Sequence, residues 1–184
     1  MSPLYIGIAI VVLVVLYLWS LYNGLVTEST EVDEAWGQID VQLKRRTDLI
    51  PNLVESVKGY AKHEKTVFAE VTKARSALMG AKTPGAMAKA NDMVSSALKS
   101  LFAVAEAYPQ LKANENFLQL QKELSDTEDK IAYARQFYNE QLMEYNVKVK
   151  VFPNNMVAGM LGFSQKEFFK TEGEERNAVK VKFD

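Results

Sequence analysis

Three features of this chain invite a reading as chemistry: 23 carboxylates, a single histidine, His63, and the basic run Lys44-Arg45-Arg46. A glutamate-rich helical protein raises the question of a di-iron centre. That site needs two Glu-x-x-His motifs on facing helices. One histidine cannot supply two motifs, and the residue three before His63 is Tyr60. With no cysteine in the chain, disulfides, iron–sulfur clusters and thiolate zinc sites are excluded. No Gly-x-Ser-x-Gly, Walker or dinucleotide glycine pattern occurs. No catalytic residue, metal site or cofactor is expected. His63 reads as an exposed or capping residue between two helical segments.

The basic run is the sharpest charged feature. Arg46 falls on an apolar stripe between Leu43 and Ile50, where an unpaired charge is very costly. It is expected to be buried and ion-paired, with Glu106 as first choice and Glu123 or Glu55 as alternatives. Lys44 and Arg45 are the candidates for lipid or partner contact, because basic residues near a membrane attract anionic headgroups. The formal net charge of −1 provides no basic field for nucleic acid.

Helices must position these residues. Glycine and proline are scarce, 9 and 5 in the 184 residues, and fall mostly between periodic segments. Val32, Trp36, Ile39 and Leu43, then Ile50, Leu53, Val57 and Tyr60, recur at steps of three or four. Pro51 interrupts the run and predicts a kink or break near Leu49-Ile50. Further stripes cover Val67 to Leu78, Met87 to Ala105, and Phe117 to Phe152. Short connections make neighbouring helices antiparallel. Each buried Leu or Phe contributes about 2 kcal/mol, so the stripes suffice to hold a bundle together. The expected fold is all-α: an N-terminal transmembrane helix, an antiparallel up-and-down bundle of about four helices, and a short extended C-terminal tail.

Leu4 to Trp19 is continuously apolar apart from Gly7, and no charged residue precedes Glu28. About 20 such residues span a bilayer. Tyr5 lies near one end, and Tyr17, Trp19 and Tyr22 near the other, where aromatic rings prefer the headgroup level. A cleaved signal peptide would need a basic leader and a small-x-small site, so residues 4–22 are expected to be a retained anchor. Neither flank carries the Lys and Arg that mark the cytoplasmic side, and counting them assigns no side to the soluble part.

The predicted division is residues 1–27 as anchor and juxtamembrane segment, 28–170 as bundle, and 171–184 as tail. The apolar segment 156–163 is too short to cross a bilayer and is expected to fold back over the bundle end. Val179, Val181 and Phe183 alternate with lysines in a strand pattern and could form an edge between subunits. Tyr138-Asn139 and Tyr145-Asn146 repeat the Tyr22-Asn23 pairing, and the two later tyrosines sit on the core stripe.

Several ordered blocks carry a resemblance. They are Asn23 to Leu25, Ala35-Trp36, Ile39 to Arg46, Asp48 to Val54, Val57 to Ala61, Ala74-Arg75, Tyr108-Pro109, Leu111 to Asn114, Ala134-Arg135, Tyr138-Asn139, Tyr145-Asn146 and Phe152-Pro153. Together they resemble the LemA family over nearly all of residues 20–170. The resemblance implies a bacterial membrane anchor bearing a helical bundle, no accepted enzymatic activity, and membrane organisation in one branch. The functional expectation is a non-enzymatic scaffold or adaptor at the bacterial inner membrane. Its expected partners are the bilayer through residues 4–22, further copies of itself and unidentified envelope proteins. The alternative is a lipid-binding or membrane-shaping protein using residues 44–46 and 156–163.

Overall fold

The computed structural model describes residues 3–170, which form six helices and no strand among them. The helices are α1 (Pro3–Lys58), α2 (Lys65–Gly80), α3 (Pro84–Glu106), α4 (Pro109–Lys112), α5 (Glu115–Lys150) and α6 (Asn154–Met160). The all-α architecture with an N-terminal apolar helix is the one read from the stripes. The expected tail residues Val179, Val181 and Phe183 lie outside the described residues. Two compact units divide the chain. Among the described residues, one comprises 3–40 and 133–167, the other 41–132 and 168–170.

In the first unit, α1 pairs antiparallel with α5. Trp36 meets the Tyr138 ring at 5.4 Å between centroids, and Glu28 is ion-paired with Lys148. Leu25, Val32, Ala35 and Ile39 of α1 are fully buried, as are Leu142 and Tyr145 of α5, and Tyr138 is buried beside them. Residues 4–20 are exposed along the whole apolar stretch, which is long and apolar enough to cross a membrane. No break separates that stretch from the packed part of α1.

In the second unit, residues 41–58 of α1, helices α2, α3 and α4, and residues 115–132 of α5 bury a shared apolar interior. It includes Ile50, Leu53, Val57, Val71, Leu101 and Leu111. Thr83 caps α3 by accepting a hydrogen bond from the Ala86 amide at 3.2 Å, with Pro84 in the first turn. Asn114 likewise caps α5, accepting from the Phe117 amide at 3.1 Å.

The predicted break at Pro51 is corrected: α1 continues through it to Lys58. A proline at 51 has no N–H for the carbonyl of Thr47, four residues back. Arg75 of α2 fills that vacancy, its Nε donating to the Thr47 carbonyl at 2.9 Å. Helix α2 thus satisfies the group that α1 cannot. Arg75→Ala should cost about 1–2 kcal/mol by stranding that carbonyl. In a Pro51→Ala background the new amide takes the carbonyl, and the Arg75 cost should shrink by about 1 kcal/mol. Urea unfolding of the four proteins in a double-mutant cycle measures this; equal Arg75 costs in both backgrounds would refute it.

The stripe through Phe152 also needs correction. Helix α5 stops at Lys150, its 3.6-residue register lapses, and Phe152 is 78% exposed.

Candidate functional site

Arg46 sits on the buried face of α1 with only 3% of its side chain exposed. Its Nη1 donates to Asn91 Oδ1 at 2.6 Å and its Nη2 to Ser95 Oγ at 3.1 Å. Glu128 of α5 is its ion-pair partner, and Ser95 Oγ donates onward to Glu128 Oε1 at 3.1 Å. Burial pushes the guanidinium below its ordinary value, while the carboxylates of Glu128 and Asp92 oppose that shift. The expected pairing with Glu106 is corrected. Ser95 and Glu106 lie eleven residues apart on α3, about 16 Å at 1.5 Å per residue. The guanidinium therefore meets a glutamate on α5. Glu123, the second candidate, faces the neighbouring Arg45 at 4.0 Å. Glu55, the third, is ion-paired with Lys58. Lys44 and Arg45 are both exposed.

This network ties α1 to α3 and α5 through one buried guanidinium, whose Nε is buried without a hydrogen-bond partner among the described residues. Its Nη1 and Nη2 face side chains on α3 and α5, which hold the guanidinium against those two helices. The open groove along α2 and α3, about 510 Å³, is lined by both signs of charge, including Glu70, Lys73, Lys89 and Asp92. Such a lining favours no single ligand charge. His63 is exposed in the turn between α1 and α2. Among the described residues no group of three or more His, Asp or Glu side chains is placed to hold a metal ion.

The first unit holds a second polar cluster, which clamps a strap without regular secondary structure, residues 163–167, after α6. Tyr145 Oη donates to the Ser164 carbonyl at 3.0 Å, and Tyr138 Oη donates to the Glu167 carbonyl at 2.8 Å. Asn146 makes both halves of a peptide-like pair with Lys166. Its Nδ2 donates to the Lys166 carbonyl at 3.0 Å, and its Oδ1 accepts from the Lys166 amide at 2.9 Å. The Lys166 ammonium lies over the Tyr145 ring, 5.4 Å from its centroid. It also reaches α1, at 3.2 Å from the Ser29 carbonyl and 2.7 Å from Asp33 Oδ1. The repeated Tyr-Asn pairing was legible in the sequence; the strap it holds was not, because residues 163–167 carry no periodic pattern.

Burial, then the negative charges of Asp33 and Glu167, pushes the Tyr138 phenol up to about 12. Tyr145 is raised as well, by burial and Asp33. Both are therefore donors at neutral pH, as the strap requires. In the unfolded chain a tyrosine ionises near pH ~10. Between there and about 12 the folded state holds the extra proton, so stability present below this window is lost as pH rises through it. Absorbance at 295 nm should show a late-titrating phenol that Tyr138→Phe removes. If that variant leaves the titration unchanged, the phenol is not held in this way.

A model of the LemA family matches residues 35–183. Magnetosome protein MamQ 2 of Paramagnetospirillum magneticum is 27% identical, over 81% of this chain and 64% of that protein. Protein LemA of Metamycoplasma hominis is 29% identical, over 84% of this chain and 71% of its own length. Magnetosome protein MamQ of Magnetospirillum gryphiswaldense is 25% identical, over 80% of this chain and 64% of its own. The chain thus spans somewhat less than two thirds of the magnetosome relatives it matches.

Proposed function

This chain belongs to the LemA family, and on that footing we propose that it is a non-enzymatic, single-pass scaffold that assembles at a bacterial inner membrane. The observation that carries this reading is the continuity of α1. One uninterrupted helix joins the apolar stretch to the packed residues Leu25 to Ile39. Within the first unit, residues 3–40 would extend about 57 Å as a straight helix. The Glu28–Lys148 pair and the Lys166 contacts brace that helix just past the apolar stretch. A platform mounted without a flexible linker holds its surfaces at fixed height and angle above the bilayer. Copies mounted this way meet in a restricted set of orientations, which lowers the entropic cost of association. The likeness to magnetosome proteins supports a place in membrane organisation.

Sedimentation velocity of the detergent-solubilised chain tests the assembly, with residues 171–184 present and deleted. The full chain should run above its 20.7 kDa monomer mass. Deletion should lower the assembly state if the tail supplies an intersubunit edge. A strictly monomeric full chain at all concentrations sinks the reading.

A further inference from the structure

We propose that the corner between α5 and α6 is a second membrane contact, an apolar wedge seated in the headgroup and upper acyl region beside the anchor. The inference rests on the reading that the apolar stretch of α1 spans a bilayer. Its starting point is a conflict between composition and exposure. Residues 151–163 contain no charged side chain, yet Phe152 is 78% exposed, Met160 88% and Met156 63%. Met156 and Met160 lie four apart on α6 and so share one face, while Ala158 supplies the buried side. Leu161 is exposed as well. Large apolar side chains gathered in one place mark an interaction surface.

Position decides the occupant. The α1–α5 pair is antiparallel, so α5 runs toward the apolar stretch as its residue numbers rise. Trp36 faces Tyr138, and Glu28 faces Lys148. Gly24 also lies against Lys148, where an added Cβ would come within 3.0 Å of its Nζ. Continuing that register, the end of α5 comes level with the end of the apolar stretch. Phe163, just after α6, packs edge-on against Tyr22 at 6.1 Å between ring centroids. Tyr22 and the exposed Trp19 are the aromatic residues that mark the interface end of the span. The wedge therefore sits at headgroup height, where an exposed Phe or Met is stabilised by lipid rather than penalised by water. Lys150, exposed at the end of α5, adds attraction for anionic headgroups. The wedge is displaced sideways from the anchor, so two lipid contacts would fix the rotation of the first unit about α1 as well as its height.

The test uses the full chain, which has no cysteine of its own. Single variants Met160→Cys, Phe152→Cys, Trp19→Cys and Tyr133→Cys are spin-labelled and reconstituted in phosphatidylcholine–phosphatidylglycerol vesicles. Collision with oxygen and with a water-soluble nickel chelate is then measured by power-saturation EPR. Trp19 reports the anchor, and Tyr133, exposed on α5, reports water. The expected result is loss of nickel accessibility at 160 and 152 to the level seen at 19, with oxygen collision retained. Nickel accessibility at 160 and 152 equal to that at 133, with 19 protected, overturns the wedge and leaves the anchor standing. Protection from both reagents at 160 and 152 also overturns it, because it reports burial against protein. Nickel accessibility at 19 itself overturns the spanning reading and the wedge together.

Discussion

Glu128→Ala should destabilise the chain by about 2–3 kcal/mol, more than removal of the arginine that Glu128 faces. The asymmetry follows from exposure. Glu128 is 47% exposed and Arg46 is 3% exposed. Removing the carboxylate leaves a buried guanidinium whose remaining partners are the neutral Asn91 and Ser95 and the more remote charge of Asp92. Removing the arginine leaves a carboxylate that water can solvate. What Arg46→Met strands is the buried Asn91 amide, 4% exposed, a loss of about 1–2 kcal/mol. A second change, Asn91→Leu, should then recover part of that loss, because neither polar partner is left unpaired. Urea unfolding followed by far-UV circular dichroism measures the series. An Arg46→Met cost equal to or larger than that of Glu128→Ala would show that the guanidinium is not the desolvated member.

Asn146→Ala should release the strap, with a loss of about 2 kcal/mol for its two hydrogen bonds to the Lys166 backbone. The amide is suited to this because it presents a donor and an acceptor side by side, as a neighbouring strand would. Asn146→Asp keeps the acceptor for the Lys166 amide and loses the donor to its carbonyl, so its cost should be intermediate. Tyr138→Phe and Tyr145→Phe each delete one bond and should cost less than Asn146→Ala. Hydrogen exchange reads the effect locally: the Lys166 amide should lose protection in Asn146→Ala and keep part of it in Asn146→Asp. Unchanged protection at Lys166 in Asn146→Ala would mean that the strap is held by other contacts.

Helix positions and the apolar stretch were legible because both rest on local periodicity. Ile50, Leu53 and Val57, or Leu142, Tyr145 and Val149, announce a buried face through spacing alone. Burial of Arg46 was legible for the same reason. Its partner was not, because that depends on how α3 and α5 are rotated against α1, which no spacing within one helix encodes. Asn91, a neutral amide on the stripe of α3 between Ala90 and Val94, carries no charge to mark it as the partner of a buried guanidinium. At Pro51 the local rule was sound, since the Thr47 carbonyl does lack its usual donor. The remedy came from Arg75, 28 residues away. Phe152 failed in the opposite sense: the stripe extended past the last helical residue, and the exposed ring became the centre of the wedge.

Assembly at the membrane is tested most directly by counting subunits in a bilayer. The full chain, carrying one fluorophore at Tyr133→Cys, is reconstituted at high dilution in phosphatidylcholine–phosphatidylglycerol vesicles, and photobleaching steps are counted for single spots. A membrane-mounted scaffold predicts that most spots bleach in two or more steps, with a distribution that does not change on further dilution of protein in lipid. Single-step bleaching throughout, at densities where random co-occupancy is negligible, would contradict it.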